Sequence, residues 1–209
     1  AALVDSGAPH VSLYGLSFEP GTPLTRARDA GRITPTDPES WSAQYDLVVR
    51  TLGAAGLERY EVSNFARPGH RARHNGHVWR GGHYMGLGPS AHGFRMDGTR
   101  TLGTTGVDAW RARPLAHTEV PSPREAAVDL ILSTLRHTDG LPVDRLANRT
   151  GFKVDRAPLR PHLRRGLLVD DENLARIRLG SPGWPVADGL VRALVDALVP
   201  CEVPSSRQA

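Results

Sequence analysis

The stretch HVSLYGLSF at residues 10–18 decides how the front of the chain is read. It is rich in Val, Leu, Tyr and Phe, lies between Pro9 and the Glu19-Pro20-Gly21 turn, and predicts a buried strand. Downstream, Thr36-Asp37-Pro38-Glu39 has the form of a capping box, with Thr36 as N-cap and Glu39 three residues on. Trp41, Tyr45, Val48, Leu52 and Ala55 then recur at helical spacing, and Gly56 closes the helix. A short strand is expected at Tyr60 to Phe65. Strand, helix and strand in that order predict a βαβ unit with parallel strands, and hence an α/β sheet or barrel.

Beyond Ala66 the character changes. Glycine stands at 69, 76, 81, 82, 86, 88, 93, 98, 103 and 106, which predicts loops and short strands rather than helices up to about His117. Residues 118–200 read as a second unit. Ser122-Pro123-Arg124-Glu125 is a capping box with proline at the first helical position. Ala127, Leu130, Ile131, Thr134 and Leu135 form one face of that helix, and Gly140 ends it. A short helix over 143–150 stops at Gly151, and a third segment over 155–165 is interrupted by Pro158 and Pro161. Residues 167–169 and 174–179 flank Asp170-Asp171-Glu172-Asn173 as a hairpin. Trp184, Ala187, Val191, Leu194 and Leu198 supply a closing helix, and the chain from Pro200 reads as a loose tail. The expected division is therefore 1–117, a winged-helix-like 118–200, and a tail at 201–209.

Composition bounds the function. Of 209 residues, 39% are hydrophobic and 23% charged, which fits a soluble globular chain. No apolar run is long enough to span a bilayer and no signal-peptide pattern opens the chain, so the cytoplasm is expected. A net charge of +4 is a weak argument for a nucleic-acid partner. The single cysteine, Cys201, excludes an internal disulfide and any all-cysteine zinc or iron–sulfur site built from this chain alone. The chain opens on Ala1 rather than methionine, which fits processing or an absent front half.

The densest polar constellation is HRARHNGHVWRGGHYMGLGPSAHG at 70–93, with His70, His74, His77, His83 and His92. Three readings compete. In the first the histidines are solvated surface or loop residues. In the second, His70/His74 or His74/His77 hold a divalent metal, although the segment has no Asp or Glu to support it. In the third the segment takes a flat aromatic ligand bearing carboxylates. Glycines admit the ligand's face, Trp79 and Tyr84 stack, Arg73 and Arg80 pair with carboxylates, and an imidazole ligates iron. A porphyrin with propionate arms meets that description.

An ordered series of segments carries a resemblance. These are HVSLYGLSFEPGTPL at 10–24, YEVSNFARPG at 60–69, His74-Asn75-x-x-x-Trp79, and Tyr84-x-Gly86-x-Gly88-x-x-Ala91-His92-Gly93. The series resembles the HemN/HemW group of radical-SAM proteins, and the His-Asn form resembles its heme-chaperone branch. Residues 122–199 are similar, more weakly, to the C-terminal domain of the same group. The resemblance implies an α/β fold: the C-terminal part of a partial (β/α) barrel plus a small helical, winged-helix-like domain. It implies a full-length protein that binds a [4Fe–4S] cluster, S-adenosylmethionine and heme, and passes heme to an acceptor protein. Any membrane contact would come through that acceptor.

Matched residue by residue, the resemblance assigns His74, Asn75 and Trp79 to heme, with His74 as the candidate iron ligand, and Ser17 to S-adenosylmethionine. Val78 stands where the family has a tyrosine before its tryptophan. The family's Cys-x-x-x-Cys-x-x-Cys motif is absent from this sequence, so the resemblance assigns no cluster ligand and no catalytic residue here. The chain alone is expected not to cleave S-adenosylmethionine. An oxygen-independent coproporphyrinogen oxidase is the alternative parent. From another class comes a winged-helix DNA binder using Arg156, Arg160, Arg164 and Arg165; Pro158, Pro161 and the acids Asp155, Asp170, Asp171 and Glu172 oppose it. No nucleic-acid partner is expected.

Overall fold

The structure is a computed structural model that describes residues 2–201. Its contacts divide the chain into two compact units, Ala1–Arg71 and Ala72–Ala209. The glycine- and histidine-rich segment thus clusters with the residues that follow it.

The first unit contains α1 (Ala2–Asp5), β1 (His10–Ser12), α2 (Pro23–Asp29), α3 (Pro38–Ala54), β2 (Glu58–Arg59) and β3 (Asn64–Ala66). The strands lie in the order β1-β3-β2, and β3 is antiparallel to both neighbours. The expected parallel pairing of the two opening strands is therefore corrected: His10 faces Ala66, Val11 faces Phe65 and Ser12 faces Asn64. The cause is a hairpin. The chain reverses where the Tyr60 N–H donates to the Asn64 carbonyl at 3.1 Å, and β3 returns between β1 and β2. The crossover through α3 does deliver a strand, β2, running in the direction of β1, but β3 separates the two.

The strand expected over 10–18 is also shorter, because β3 offers partners to only three of its residues. Past Ser12 one link continues, Leu13 N–H to the Ser63 carbonyl at 2.8 Å, and Tyr14 and Leu16 are then 75% and 70% exposed. The α3 cap differs by one position. Pro38 occupies the first helical turn, so Asp37, not Thr36, is the N-cap, and its carboxylate accepts from the Ser40 N–H at 2.9 Å. Gly56, at φ +77°, follows the helix as expected. The core is Val11, Leu52, Leu57 and Phe65, ringed by Val4, Leu13, Val48 and Val49. Beside it Glu61 is wholly buried. Its Oε1 accepts from the Ser63 N–H at 3.1 Å, while Oε2 has no hydrogen-bond partner among the described residues. Burial raises its pKa against the opposing hydrogen bonds from Ser63 and Asn64.

The second unit opens with α4 (Arg73–Trp79). A helix here corrects the glycine-based expectation of a loop; Gly76 is buried, and a Cβ there would lie 3.2 Å from the Arg80 guanidinium. An antiparallel sheet follows: β4 (His92–Phe94), β5 (Arg100–Gly103) and β6 (Leu115–Glu119), with α5 (Val107–Ala112) between the last two. Glycine serves close approach here, since a Cβ on Gly103 would meet the Gly88 carbonyl oxygen at 2.6 Å.

α6 (Pro123–Leu135) starts with the expected capping box: the Ser122 N–H donates to Glu125 Oε2 at 2.7 Å and the Glu125 N–H donates to Ser122 Oγ at 3.3 Å. β7 (Leu141–Pro142) leads into α7 (Val143–Thr150), which stops at left-handed Gly151 as expected. β8 (Phe152–Val154) precedes α8 (Arg160–Arg164), a five-residue remnant of the proline-bearing segment. β9 (Leu168–Asp171) and β10 (Arg176–Leu179) form the expected hairpin, and β7 pairs on the other side of β10. The closing helix, α9 (Ala187–Asp196), is shorter than expected, because Ser181–Val186 is a 3₁₀ turn and Leu198 belongs to β11 (Leu198–Pro200), antiparallel to β8. Pro200 is therefore held in a ladder, and the Cys201 N–H donates to the Gly151 carbonyl at 2.7 Å. The rest of the expected tail lies outside the described residues. Leu130, Ile131, Leu146, Leu168, Ile177 and Leu194 are fully or almost fully buried in this unit.

Candidate functional site

At 3.6 residues per turn, His74, Val78, Asn75 and Trp79 fall within about 140° of the circumference of α4. Asn75 and Trp79, four residues apart, share one helix face, and His74 lies about 100° from Asn75 around the helix, in line with Val78. His74 is exposed, and Asn75, Val78 and Trp79 are half-buried. Ser17 belongs to the first unit, on the irregular segment after β1, where it is exposed.

His77 has a local task. Its Nε2 donates to the His83 carbonyl at 2.7 Å, and a Cβ on Gly82 would collide with its ring, so Gly81 and Gly82 are what let the chain turn so tightly past the helix. His70, His83 and His92 are exposed. Among the described residues no three His, Cys, Asp or Glu side chains gather as a metal site.

Val78 also forms part of the wall of a cavity of about 290 Å³ within the second unit. Gly81, Gly82, Tyr84, Phe94 and Leu130 supply most of its apolar lining, and Arg100, Asp129, Ser133, His92 and Arg149 the polar part. Tyr84 is fixed by backbone bonds to Phe94, 2.8 Å from its N–H and 2.9 Å to its carbonyl. Trp79 is not in that wall, so of the two expected stacking rings only Tyr84 lines the cavity.

The charges around the cavity are unevenly matched. Arg100 binds Asp129 through Nε at 2.9 Å and through a second nitrogen, and meets Glu119 at 3.3 Å. Burial opposes its charged form, but these carboxylates prevail and raise its pKa. Arg80, expected to serve a ligand carboxylate, instead holds Asp139 at 2.8 Å. Burial works against the Asp139 carboxylate, yet Arg80, His137 and Arg176 together keep its pKa below the ordinary value. Arg145 donates to the carbonyls of Arg80 and Gly81, the latter at 2.9 Å, and Arg149 donates to Gly81 at 3.3 Å. Arg149 also lies over the Phe94 ring, 6.0 Å from its centre. Among the described residues neither Arg145 nor Arg149 has a carboxylate partner. Sequence reasoning missed this pair, although arginines four apart at the end of a helix share a face.

The first unit has a cavity of its own, of about 510 Å³, walled by Tyr14, Phe18, Trp41, Tyr45 and Phe65 with Thr34, Thr36 and Gln44. Trp41 and Tyr45 stack with centres 5.5 Å apart and planes 7° apart. The Tyr45 hydroxyl donates to the Val62 carbonyl at 3.1 Å and accepts from Arg59 at 3.2 Å. Leu16 and Phe18 line this cavity; Ser17, between them, does not. The residues present do not fit an iron–sulfur cluster, because the chain has one cysteine. The five-residue α8 is too short for a recognition helix, and its neighbour Arg156 is bound to Asp170 at 3.0 Å.

No protein-family model matches the chain. Heme chaperone HemW of Mycobacterium tuberculosis is 35% identical over 199 residues, which are 93% of this chain and 49% of that protein. Heme chaperone HemW of Bacillus subtilis is 31% identical over 154 residues, 71% of this chain and 40% of that protein. The mitochondrial radical S-adenosyl methionine domain-containing protein 1 of Bos taurus is 46% identical over 84 residues, 40% of this chain and 19% of that protein. Coproporphyrinogen III oxidase (HemN) from Escherichia coli, a radical SAM enzyme, has a similar structure, with a TM-score of 0.65 and 13% identity over 94% of this chain and 49% of that one. At that identity the likeness speaks for the fold alone. The fold is thus a partial α/β fold of the HemN kind, with no closed barrel among the described residues. The chain spans about half the length of the Mycobacterium tuberculosis relatives that it matches. No helix among the described residues is long and apolar enough to cross a membrane.

Proposed function

The chain belongs with the HemW-like proteins of the HemN/HemW group, and from that premise we propose that it is the C-terminal, heme-handling portion of a cytoplasmic heme chaperone. In this reading it binds heme as cargo on α4 and delivers it to an acceptor protein. The observation that carries the reading is that His74, Asn75 and Trp79 all lie on the short helix α4, with His74 exposed. The exposed His74 imidazole gives the iron a nitrogen ligand, Trp79 offers an aromatic edge to the macrocycle, and the Asn75 amide offers hydrogen bonds beside it. Residues 118–200 are the HemN-type C-terminal domain, and Ser17 is the residue toward S-adenosylmethionine. No step in this chain runs through an iron–sulfur cluster, for which it lacks thiolates.

Titration with hemin tests the reading. The 209-residue chain is expected to shift the Soret band, and His74→Ala to abolish the shift. An unchanged spectrum in the variant removes His74 from the iron. Anaerobic conversion of coproporphyrinogen III to protoporphyrinogen by the full-length protein would replace the chaperone reading with the oxidase one.

A further inference from the structure

The cavity behind α4 is mostly apolar, yet one of its walls ends in an unmatched positive charge. Its other charged residues answer each other, Arg100 meeting Asp129 and Glu119. Arg149 spends one N–H on the Gly81 carbonyl and has no carboxylate among the described residues. Arg145 stands beside it on the same carbonyl, and burial, followed by the charges of Arg149 and Arg176, lowers its pKa. Of these charges Arg176 acts on Asp139, whereas Arg145 and Arg149 have no carboxylate partner among the described residues, and an anion beside them is favoured. The rings of Tyr84 and Phe94 and the small faces of Gly81 and Gly82 suit a slender apolar stem rather than a hydrated phosphate. Val78, in the cavity wall, lies four residues, about 6 Å of helix rise, beyond His74 on the same face of α4.

We propose that this cavity is the subsite for a carboxylate arm of the planar ligand, with Arg149 pairing the carboxylate through its guanidinium fork. The proposal rests on the heme reading above and assigns a place to one of the ligand's carboxylate arms, where His74 addresses the iron.

Hemin and hemin dimethyl ester, titrated separately into the full 209-residue chain, test it. The acid is expected to bind about tenfold more tightly than the ester, equivalent to about 1.4 kcal/mol. Arg149→Met should erase that difference without moving the Soret maximum, and Arg149→Lys should restore part of it. Arg149 is exposed at the end of α7, and a circular-dichroism melt checks that each variant folds. Arg192→Met, on the exposed side of α9, should keep the full difference. Equal affinities in the parent chain, a difference that survives Arg149→Met, or one that Arg192→Met also erases would each overturn the subsite while leaving heme binding intact. If neither compound binds, the heme reading fails and the subsite goes with it.

Discussion

In the Ala1–Arg71 unit the carboxyl of Glu61 is sealed in the interior with one oxygen unpartnered among the described residues, whereas in the Ala72–Ala209 unit Asp129, Asp139 and Asp170 each meet an arginine. The carboxyls of Glu61 and Asp139 are set to titrate in opposite directions. Burial lifts the pKa of Glu61, while the cations around Asp139 outweigh burial and depress its pKa. The hydrophobic interiors differ as well. The first unit gathers Val11, Leu52, Leu57 and Phe65 into one small cluster, buries Tyr60 and Ala66 besides, and leaves Tyr14, Leu16 and Trp41 open at its cavity. The second closes two small sheets and a ribbon with α6, α7 and α9. The lesson is that one part is built on a small interior beside a buried acid whose pKa is raised, the other on a fuller interior bordered by ion pairs.

The largest expected effect comes from the sparse interior. Phe65→Ala should cost about 3–5 kcal/mol. Hydrogen exchange should then show the β1 and β3 amides losing protection while those of α6 keep theirs; equal losses in both would break the contrast. Leu146→Ala, at a wholly buried site in α7, should cost about 2–5 kcal/mol and leave β1 and β3 protected. Ser122→Ala removes an N-cap acceptor and should lower stability by about 1 kcal/mol in a denaturant titration. A variant as stable as the parent would mean that packing alone holds the start of α6.

The last expectation is a change of slope. Glu61 has a raised folded-state pKa, so the native state retains its proton above pH 4.5, where the unfolded chain releases it. Its contribution is complete below that pH and is lost as pH rises toward the folded value. Asp139 behaves in the reverse sense, and its contribution is lost as pH falls below 3.8 toward its depressed value. Glu61→Gln should flatten the decline of stability above pH 4.5 and leave the acid limb as it was. A decline that persists in Glu61→Gln would assign it to another group.

Features closed by local hydrogen bonds were legible in the sequence. The Ser122–Glu125 box, left-handed Gly151 and the Asp170–Asn173 hairpin each need only residues a few positions apart. What failed depended on distant partners. Nothing within HVSLYGLSF reveals that β3 can pair with only its first three residues, or that β3 approaches antiparallel. Glycine's poor helix propensity hid α4, because tertiary packing around the buried Gly76 outweighs a penalty of about 1 kcal/mol. At the site, the motif residues His74, Asn75 and Trp79 were found by type and spacing. Arg149 was not, because its unmatched charge exists only after Arg100, Arg80 and the acids have found one another.

The order β1-β3-β2 also governs how copies of this chain meet at high concentration. Both outer rows of that sheet are brief, three residues in β1 and two in β2. So few free rungs give an incoming extended chain almost nothing to zip along. The open edges of this sheet are thus blunted by the shortness of their own ladders.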